Sequence, residues 1–379
     1  MDFNLSKEHQ MARQLFHDFA VKEVEPWAEE TDELHRFPWE AVRKMQKYGF
    51  MGIPFPKEIG GQGCDTLTYI LAVEEIAKIC GTTAVILSAH TSLAADAIYI
   101  NGTDEQKEKF LRPLVEGKKL GSFDLTEPDA GTDAAGQQTK VISDGDEWLI
   151  NGNKIFITNG EVADIYVAFG MTDKSSGVRG ISAFIIEKET PGFSFGPCEK
   201  KMGIRGSSTC ELVFDNCRIP KNNLLGREGK GFGIAMSTLD GGRIGIAAQA
   251  LGLAEGALDK TIQYVKERKQ FNSPIAKYQN TQFVLAQMKT EIEATRWLVY
   301  NACVKKDSGK PFATEAAMAK LKASQVASEV TRECVQLHGG YGYIQAFHVE
   351  RMMRDAKVTE IYEGTSEVMK MVIAGNLLK

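Results

Sequence analysis

The feature that most constrains this chain is a change of texture near Leu120. Before it, and again beyond about residue 226, apolar residues recur at helical spacing; from Leu120 to about Pro220 they recur in short strand-like runs. An order of helices, strands, helices excludes the alternating strand–helix pattern of a doubly wound parallel sheet. In the leading block Ser6 is placed to cap a helix with apolar positions Met11, Leu15, Phe16 and Phe19, and Pro26 falls near its end. Pro38 suits the first turn of a helix continued by Val42, Met45 and Tyr48. Residues 49–65 read as a Gly- and Pro-rich loop, Leu67 and Ile70 open another helix, and Thr103-Asp104-Glu105-Gln106 fits a capping box before Phe110 and Leu114. In the middle block, residues 165–169, 181–186 and 210–214 are buried-strand runs, and 148–157 reads as a hairpin turning at Asn151-Gly152. Short strands between Gly, Asp and Lys turns predict a small antiparallel barrel or sandwich. Long helices are predicted over 244–269, 279–307 and 314–338. The expectation is an α+β chain: a helical domain over 1–119, an antiparallel β-barrel domain over 120–225 and a helical domain over 226–379.

Charge and cysteine usage exclude several functions. With 45 Lys and Arg against 50 Asp and Glu, the net charge of −5 argues against a general nucleic-acid binder, though a local basic pocket can still hold a polyanionic small molecule. The 7 cysteines are odd in number and include no C-x-x-C, which predicts reduced, buried thiols and no metal site. The segment from Met1 lacks a basic or apolar leader pattern and no apolar run reads as long enough to cross a membrane, so the expectation is a cytoplasmic protein, or one mature after processing, without membrane insertion. Neither a Rossmann fingerprint nor a P-loop occurs; Gly229-Lys230-Gly231-Phe232-Gly233 comes nearest and reads as a mobile turn.

Six segments carry more information when taken together. They are Leu125-Thr126-Glu127-Pro128-x-Ala130-Gly131-Thr132-Asp133, Lys154-Ile155-Phe156-Ile157-Thr158-Asn159-Gly160, Leu239-Asp240-Gly241-Gly242-Arg243, Glu267-Arg268-Lys269-Gln270-Phe271, Gln336-Leu337-His338-Gly339-Gly340-Tyr341-Gly342, and Arg354-Asp355-Ala356-Lys357 followed by Tyr362-Glu363-Gly364-Thr365-Ser366. In this order, and across essentially the whole chain, they resemble the acyl-CoA dehydrogenase family, nearest to its short-chain, butyryl-CoA type.

The resemblance implies a C-terminal four-helix bundle, with FAD between it and the β domain and partly across a subunit interface. Phe123, Leu125, Thr126, Gly131 and Thr132 would lie along the flavin, with Thr132 also bordering substrate. Phe156, Ile157 and Thr158 would cover its other side. Arg268, Phe271, Gln279 and the turn Gln336, Leu337, His338, Gly339 and Gly340 would hold the pyrophosphate and adenine of a neighbouring subunit's FAD, a task suited to a guanidinium. Thr365, Ser366 and Glu367 would also contact FAD, although Thr365 and Glu367 equally suit the start of a helix. Asp240, Arg243, Tyr362 and Gly364 would line the substrate. Glu363 would be the catalytic base, taking the α-proton of a thioester while hydride passes from the β-carbon to flavin N5, with burial raising its pKa toward neutrality. Some relatives carry the base one residue before Arg243; here that residue is Gly242, which leaves Glu363. The implied partners are an acyl-CoA, an electron-transfer flavoprotein and further copies of the chain, at least a dimer and up to a tetramer.

One departure is Asp124, where the family has a small residue; a carboxylate there would alter the flavin's potential or the pocket's shape, or point to solvent. Three other readings stay open: an alicyclic or aryl-substituted acyl-CoA on the same machinery, an oxidase using oxygen directly, and a non-catalytic protein of this fold that only binds acyl-CoA.

Overall fold

The computed structural model describes residues 4–379. The predicted caps form: Ser6 Oγ accepts from the His9 N–H at 3.2 Å to start the Lys7–Phe19 helix, and Thr103 and Gln106 make a reciprocal capping box. The middle block is one 8-stranded sheet. Its strands are β1 (Gly121–Asp124), β2 (Lys140–Asp144), β3 (Glu147–Thr158), β4 (Ile165–Met171), β5 (Ile181–Glu187), β6 (Phe193–Cys198), β7 (Thr209–Pro220) and β8 (Leu224–Leu225). The order is β6-β7-β3-β2-β4-β5-β8, with β1 parallel beside β4. All other pairings are antiparallel except one parallel β2–β4 bridge.

The expected hairpin at Asn151-Gly152 is a misreading. β3 runs straight through both residues, and the reversal lies at Gly145, where Asp144 pairs with Glu147. Asn151-Gly152 is instead a bulge against β7. Gly152 has φ +148°, and a methyl group there would lie 2.6 Å from Thr139 Oγ1. The Asn151 carboxamide oxygen accepts from the Asn216 N–H at 2.8 Å. A turn signal marks departure from the regular ladder, and a bulge needs the same residues as a hairpin.

The segment predicted as a mobile turn at 229–233 is also fixed. The Gly229 N–H donates to Ser182 Oγ at 2.9 Å, and the long helix starts at Gly231, earlier than its periodicity suggested, and runs to Glu267. The two helices that follow, Gln279–Asp307 and Ala313–His338, match their prediction closely. Cys64 and Cys198 are exposed, against the expectation of burial, while the other five thiols are buried.

The element that joins the layers is the apolar helix Gly81–Asn101. It has 21 residues, long and apolar enough to cross a membrane, which the sequence reading overlooked; 83% of its 18-residue apolar window is buried inside the fold. Its Ile86 carbonyl accepts from Asn159 Nδ2 beyond β3, and its His90 Nδ1 accepts from the Gly121 N–H of β1 at 3.0 Å. Its other side presses on the Gly231–Glu267 helix, where a methyl group on Gly245 would lie 2.3 Å from Ser88 Oγ. The leading and trailing helical blocks are further tied by ion pairs: Lys78 and Arg13 reach Glu255 at 2.9 and 3.4 Å, and Arg296 reaches the buried Glu74.

Candidate active site

Between the helices Val349–Val358 and Ser366–Leu377 the chain reverses through two consecutive residues of positive φ, Glu363 at +52° and Gly364 at +99°. The second is natural for glycine. The first holds a glutamate in the left-handed region, which costs about 1–2 kcal/mol and persists only where its surroundings enforce it. Four contacts do so. Lys320 Nζ donates to the Gly364 carbonyl, Arg243 Nε donates to the Glu363 carbonyl at 3.4 Å, Tyr362 Oη donates to Gln249 Oε1, and the Ser366 N–H returns to the Glu360 carbonyl at 3.0 Å. Thr365 then caps the last helix, its hydroxyl accepting from the Val368 N–H at 3.3 Å.

This arrangement sends the Glu363 side chain inward. Its Oε2 is buried and has no hydrogen-bond partner among the described residues. Burial raises its pKa to about 7, against the pull of the Lys320 and Arg243 cations. Gly242 makes the room: a methyl group there would lie 2.2 Å from Glu363 Oε2 and 2.6 Å from Leu93 Cδ2. Arg243 is itself buried and held by Asp240 Oδ1 at 2.5 Å. Thus Glu363, Gly364, Tyr362, Arg243 and Asp240 come together. Lys320, Gln249 and Leu93, which the sequence reading did not single out, complete the set. Lys320 had a signal: it is a lone cation on a face of alanines (Ala316, Ala319, Ala323) and is 1% exposed.

The β-domain residues form a second wall. Residues 125–133 are built around a fully buried lysine, Lys154, whose ammonium reaches the Leu125 carbonyl at 3.2 Å, Glu127 Oε1 at 2.8 Å and Gln137 Oε1 at 2.9 Å. The Ile155 N–H donates to the Thr126 carbonyl at 2.9 Å, so the loop and β3 are locked together. Beyond that lock Phe156 takes φ +60° and stands 61% exposed. Thr126 and Thr158 are half-buried, Gly131 and Thr132 are exposed, Phe123 and Leu125 are largely buried, and Ile157 turns into the sheet's interior. Asp124 points neither to solvent nor to the side of Phe123 and Leu125. It is fully buried on the other side of β1, and Ser122 Oγ lies 2.7 Å from its Oδ1.

A third cluster is separate from these two. Arg268, Gln336, Leu337, His338, Gly339 and Gly340 border a cavity of about 570 Å³ together with Tyr264 and Tyr341. The Arg268 guanidinium sits 5.1 Å from the Tyr341 ring, and His338 stacks on Tyr264 at 4.2 Å. His338 is buried, which depresses its pKa, and its Nδ1 is 2.7 Å from the Cys334 carbonyl. Phe271, 94% exposed at φ +49°, tips a small hairpin beside this cavity's Gln270, and Gln279 is exposed at the next helix start; neither lines the cavity. Ser366 is half-buried and Glu367 exposed in the first turn of the last helix. The donor set suits FAD: a guanidinium for a pyrophosphate, an open backbone at Gly340 where a methyl group would meet nothing within 4 Å, and an exposed aromatic wall with hydroxyls beside it.

The sequence matches the acyl-CoA dehydrogenase N-terminal domain over residues 6–118, the middle domain over 122–217 and the C-terminal domain over 229–378. It is 58% identical to the short-chain specific acyl-CoA dehydrogenase of Clostridium acetobutylicum, over 100% of both chains. It is 54% identical to the butyryl-CoA dehydrogenase of Megasphaera elsdenii, whose solved structure superposes with a TM-score of 0.98 over 100% of both chains. A chain solved in work on the electron transferring flavoprotein of Acidaminococcus fermentans and flavin-based electron bifurcation superposes at 0.99, with 55% identity over 100% of both chains. The chain belongs to the acyl-CoA dehydrogenase family.

Proposed function

We propose that this chain is a FAD-dependent enzyme that converts a short-chain acyl-CoA to its trans-2-enoyl-CoA, or runs the same reaction in reverse, with Glu363 as the base. The observation that carries this reading is the Glu363 carboxylate, buried and unbonded at Oε2 above the gap left by Gly242. A proton acceptor must be free, aimed and matched in affinity to the working pH, and a pKa of about 7 meets the last requirement. As Glu363 takes the α-proton its charge disappears in a buried site, a change that burial favours. Arg243 and Lys320 hold the backbone of the turn and keep a share of the carboxylate ionised. No bond from the Glu363 N–H is seen among the described residues, so this donor is free for the thioester oxygen, where negative charge grows. FAD, when bound, supplies the acceptor for the hydride from the β-carbon. Phe156, Thr158 and Thr126 wall its ring. Arg268 and the 336–340 turn serve its pyrophosphate and adenine in a neighbouring copy of the chain.

A homo-oligomer, a dimer at least and a tetramer in full, follows from that division of the site. It is supported by the exposed apolar residues Phe271 (94%), Tyr343 (85%), Leu377 (81%) and Leu378 (84%). Electron exchange is with an electron-transfer flavoprotein, in the cytoplasm. Glu363→Gln is expected to keep the yellow bound FAD and to lose about 10³-fold or more of acyl-CoA-dependent flavin bleaching. Wild-type bleaching in that variant would sink the assignment, and a colourless protein that FAD cannot reconstitute would favour a mere acyl-CoA binder.

A further inference from the structure

Asp124 has surroundings that an ionised carboxylate does not fit. It closes β1, and the groups near enough to act on its charge are Lys154 of β3, Tyr166 of β4 and Cys210 of β7. Lys154 has three ammonium hydrogens, and its three contacts to Leu125, Glu127 and Gln137 use them. The Tyr166 hydroxyl lies 2.7 Å from each of the Gly160 and Ala163 carbonyls. The Cys210 thiol is pushed up to about 12 by burial and stays neutral. Asp124 Oδ2 is buried without a partner, and Ser122 is the one hydrogen-bonding contact of Oδ1 among the described residues.

Ser122 carries a single hydroxyl proton between two acceptors, Asp124 Oδ1 at 2.7 Å and the Thr158 carbonyl at 3.0 Å. If Asp124 is ionised, that proton turns to the carboxylate and the Thr158 carbonyl loses this donor, while a buried anion remains with one oxygen unserved. If Asp124 is protonated at Oδ1, it donates to Ser122, and Ser122 donates to Thr158. Burial agrees with the second arrangement, raising Asp124 to about 8.

We propose that Asp124 is a positioning residue: as the neutral acid it drives a hydrogen-bond relay through Ser122 to the Thr158 carbonyl, which steadies the strand end that presents Phe156 and Thr158 to FAD, and its ionisation withdraws the Ser122 donor from that carbonyl. The inference rests on the FAD site proposed above. It gives the departure at position 124 a task behind the wall rather than in the pocket. The relay moves no proton from site to site and needs no co-reactant; it only reverses which group Ser122 serves.

The test uses full-length protein loaded with FAD, its visible absorbance followed from about pH 6 to about pH 9.5. The expected result is a one-proton change in the bound-flavin spectrum centred near pH 8, absent from Asp124→Asn, whose amide keeps a donor toward Ser122. In Ser122→Ala the carboxyl still titrates, read as the infrared band of a neutral acid, but the flavin spectrum no longer follows it. Glu363 and Lys320 also titrate in this range, so the component near pH 8 is read as the difference between wild type and Asp124→Asn; a flat wild-type spectrum, or an Asp124→Asn profile identical to the wild-type one, would overturn the proposal. Should Asp124→Asn not fold, the infrared band in wild-type protein decides: its absence at neutral pH overturns the relay. Failure of the wild type to bind FAD would sink the functional reading, and the infrared band would still judge the protonation of Asp124.

Discussion

Glu127 and Glu363 are both carboxylates set into the two walls of the site, and their fates are opposite. Glu127 is 5% exposed, yet its pKa is lowered: burial pushes it up, but Lys154 and the Gln138 and Thr139 N–H groups, at 2.5 and 3.1 Å, outweigh that. Glu363 keeps a bare Oε2, and there burial wins over two cations that hold the turn's carbonyls. Burial alone therefore does not make a base. What separates the structural carboxylate from the one proposed as the base is whether its lone pairs are already served.

The contrast breaks hardest at Lys154. Lys154→Met strands Glu127 as a buried, unpaired charge and is expected to destabilise the protein by roughly 3–5 kcal/mol, with loss of retained FAD because the 125–133 loop loses its anchor. Urea unfolding and flavin content check this, and a variant within about 1 kcal/mol of wild type would show that Glu127 is held by its backbone donors alone.

The second break is at Gly242. In Gly242→Ala the new methyl group would collide with Glu363 Oε2 at 2.2 Å, so the carboxylate must move while the fold stays in place. A displacement of about 1 Å is enough for a loss of about 10²-fold in kcat. The expected pattern is a low kcat with near-normal melting and FAD content; unchanged kcat would mean that the carboxylate works from another position.

Much of this contrast could be read before the structure, but not the part that decides it. The resemblance carried by six ordered motifs pointed to Glu363 and the wall residues, while adjacent residues alone wrote only the Glu363-Gly364 reversal and the Thr365 cap. The same kind of local signal misled at Asn151-Gly152, where the partner strand β7 turned a hairpin pattern into a bulge. The Gly231–Glu267 helix begins earlier than its apolar pattern because its first residue, Gly231, packs against the Ser182 backbone, a contact invisible in periodicity. Lys154 and Lys320 were harder still. A lysine in a sequence reads as a solvated charge, and only the groups that converge on it from distant positions, 29 residues away for Leu125 and 44 for Gly364, explain its burial. The orientation of Asp124 likewise follows from strand alternation, given that Phe123 packs at 4.9 Å on Phe169 on the opposite face of β1.

Lys320 sharpens the comparison at its finest point. It is buried and bonded to the Gly364 carbonyl, and burial lowers its own pKa to about 8, so it is a cation that the site only just keeps. Its charge favours ionised Glu363. In Lys320→Met that help is gone, and the proton on Glu363 is held more tightly. The dehydrogenase reaction needs the ionised form, so the acid limb of the kcat/KM profile is expected to move upward by about one pH unit from its position near 7. Activity at neutral pH should fall several-fold and recover as the pH is raised. The enoyl-reducing direction starts from protonated Glu363, so the same substitution should widen its pH range on the alkaline side. A fall in activity that is equal at every pH would assign Lys320 to holding the turn's backbone alone, with no part in setting the base.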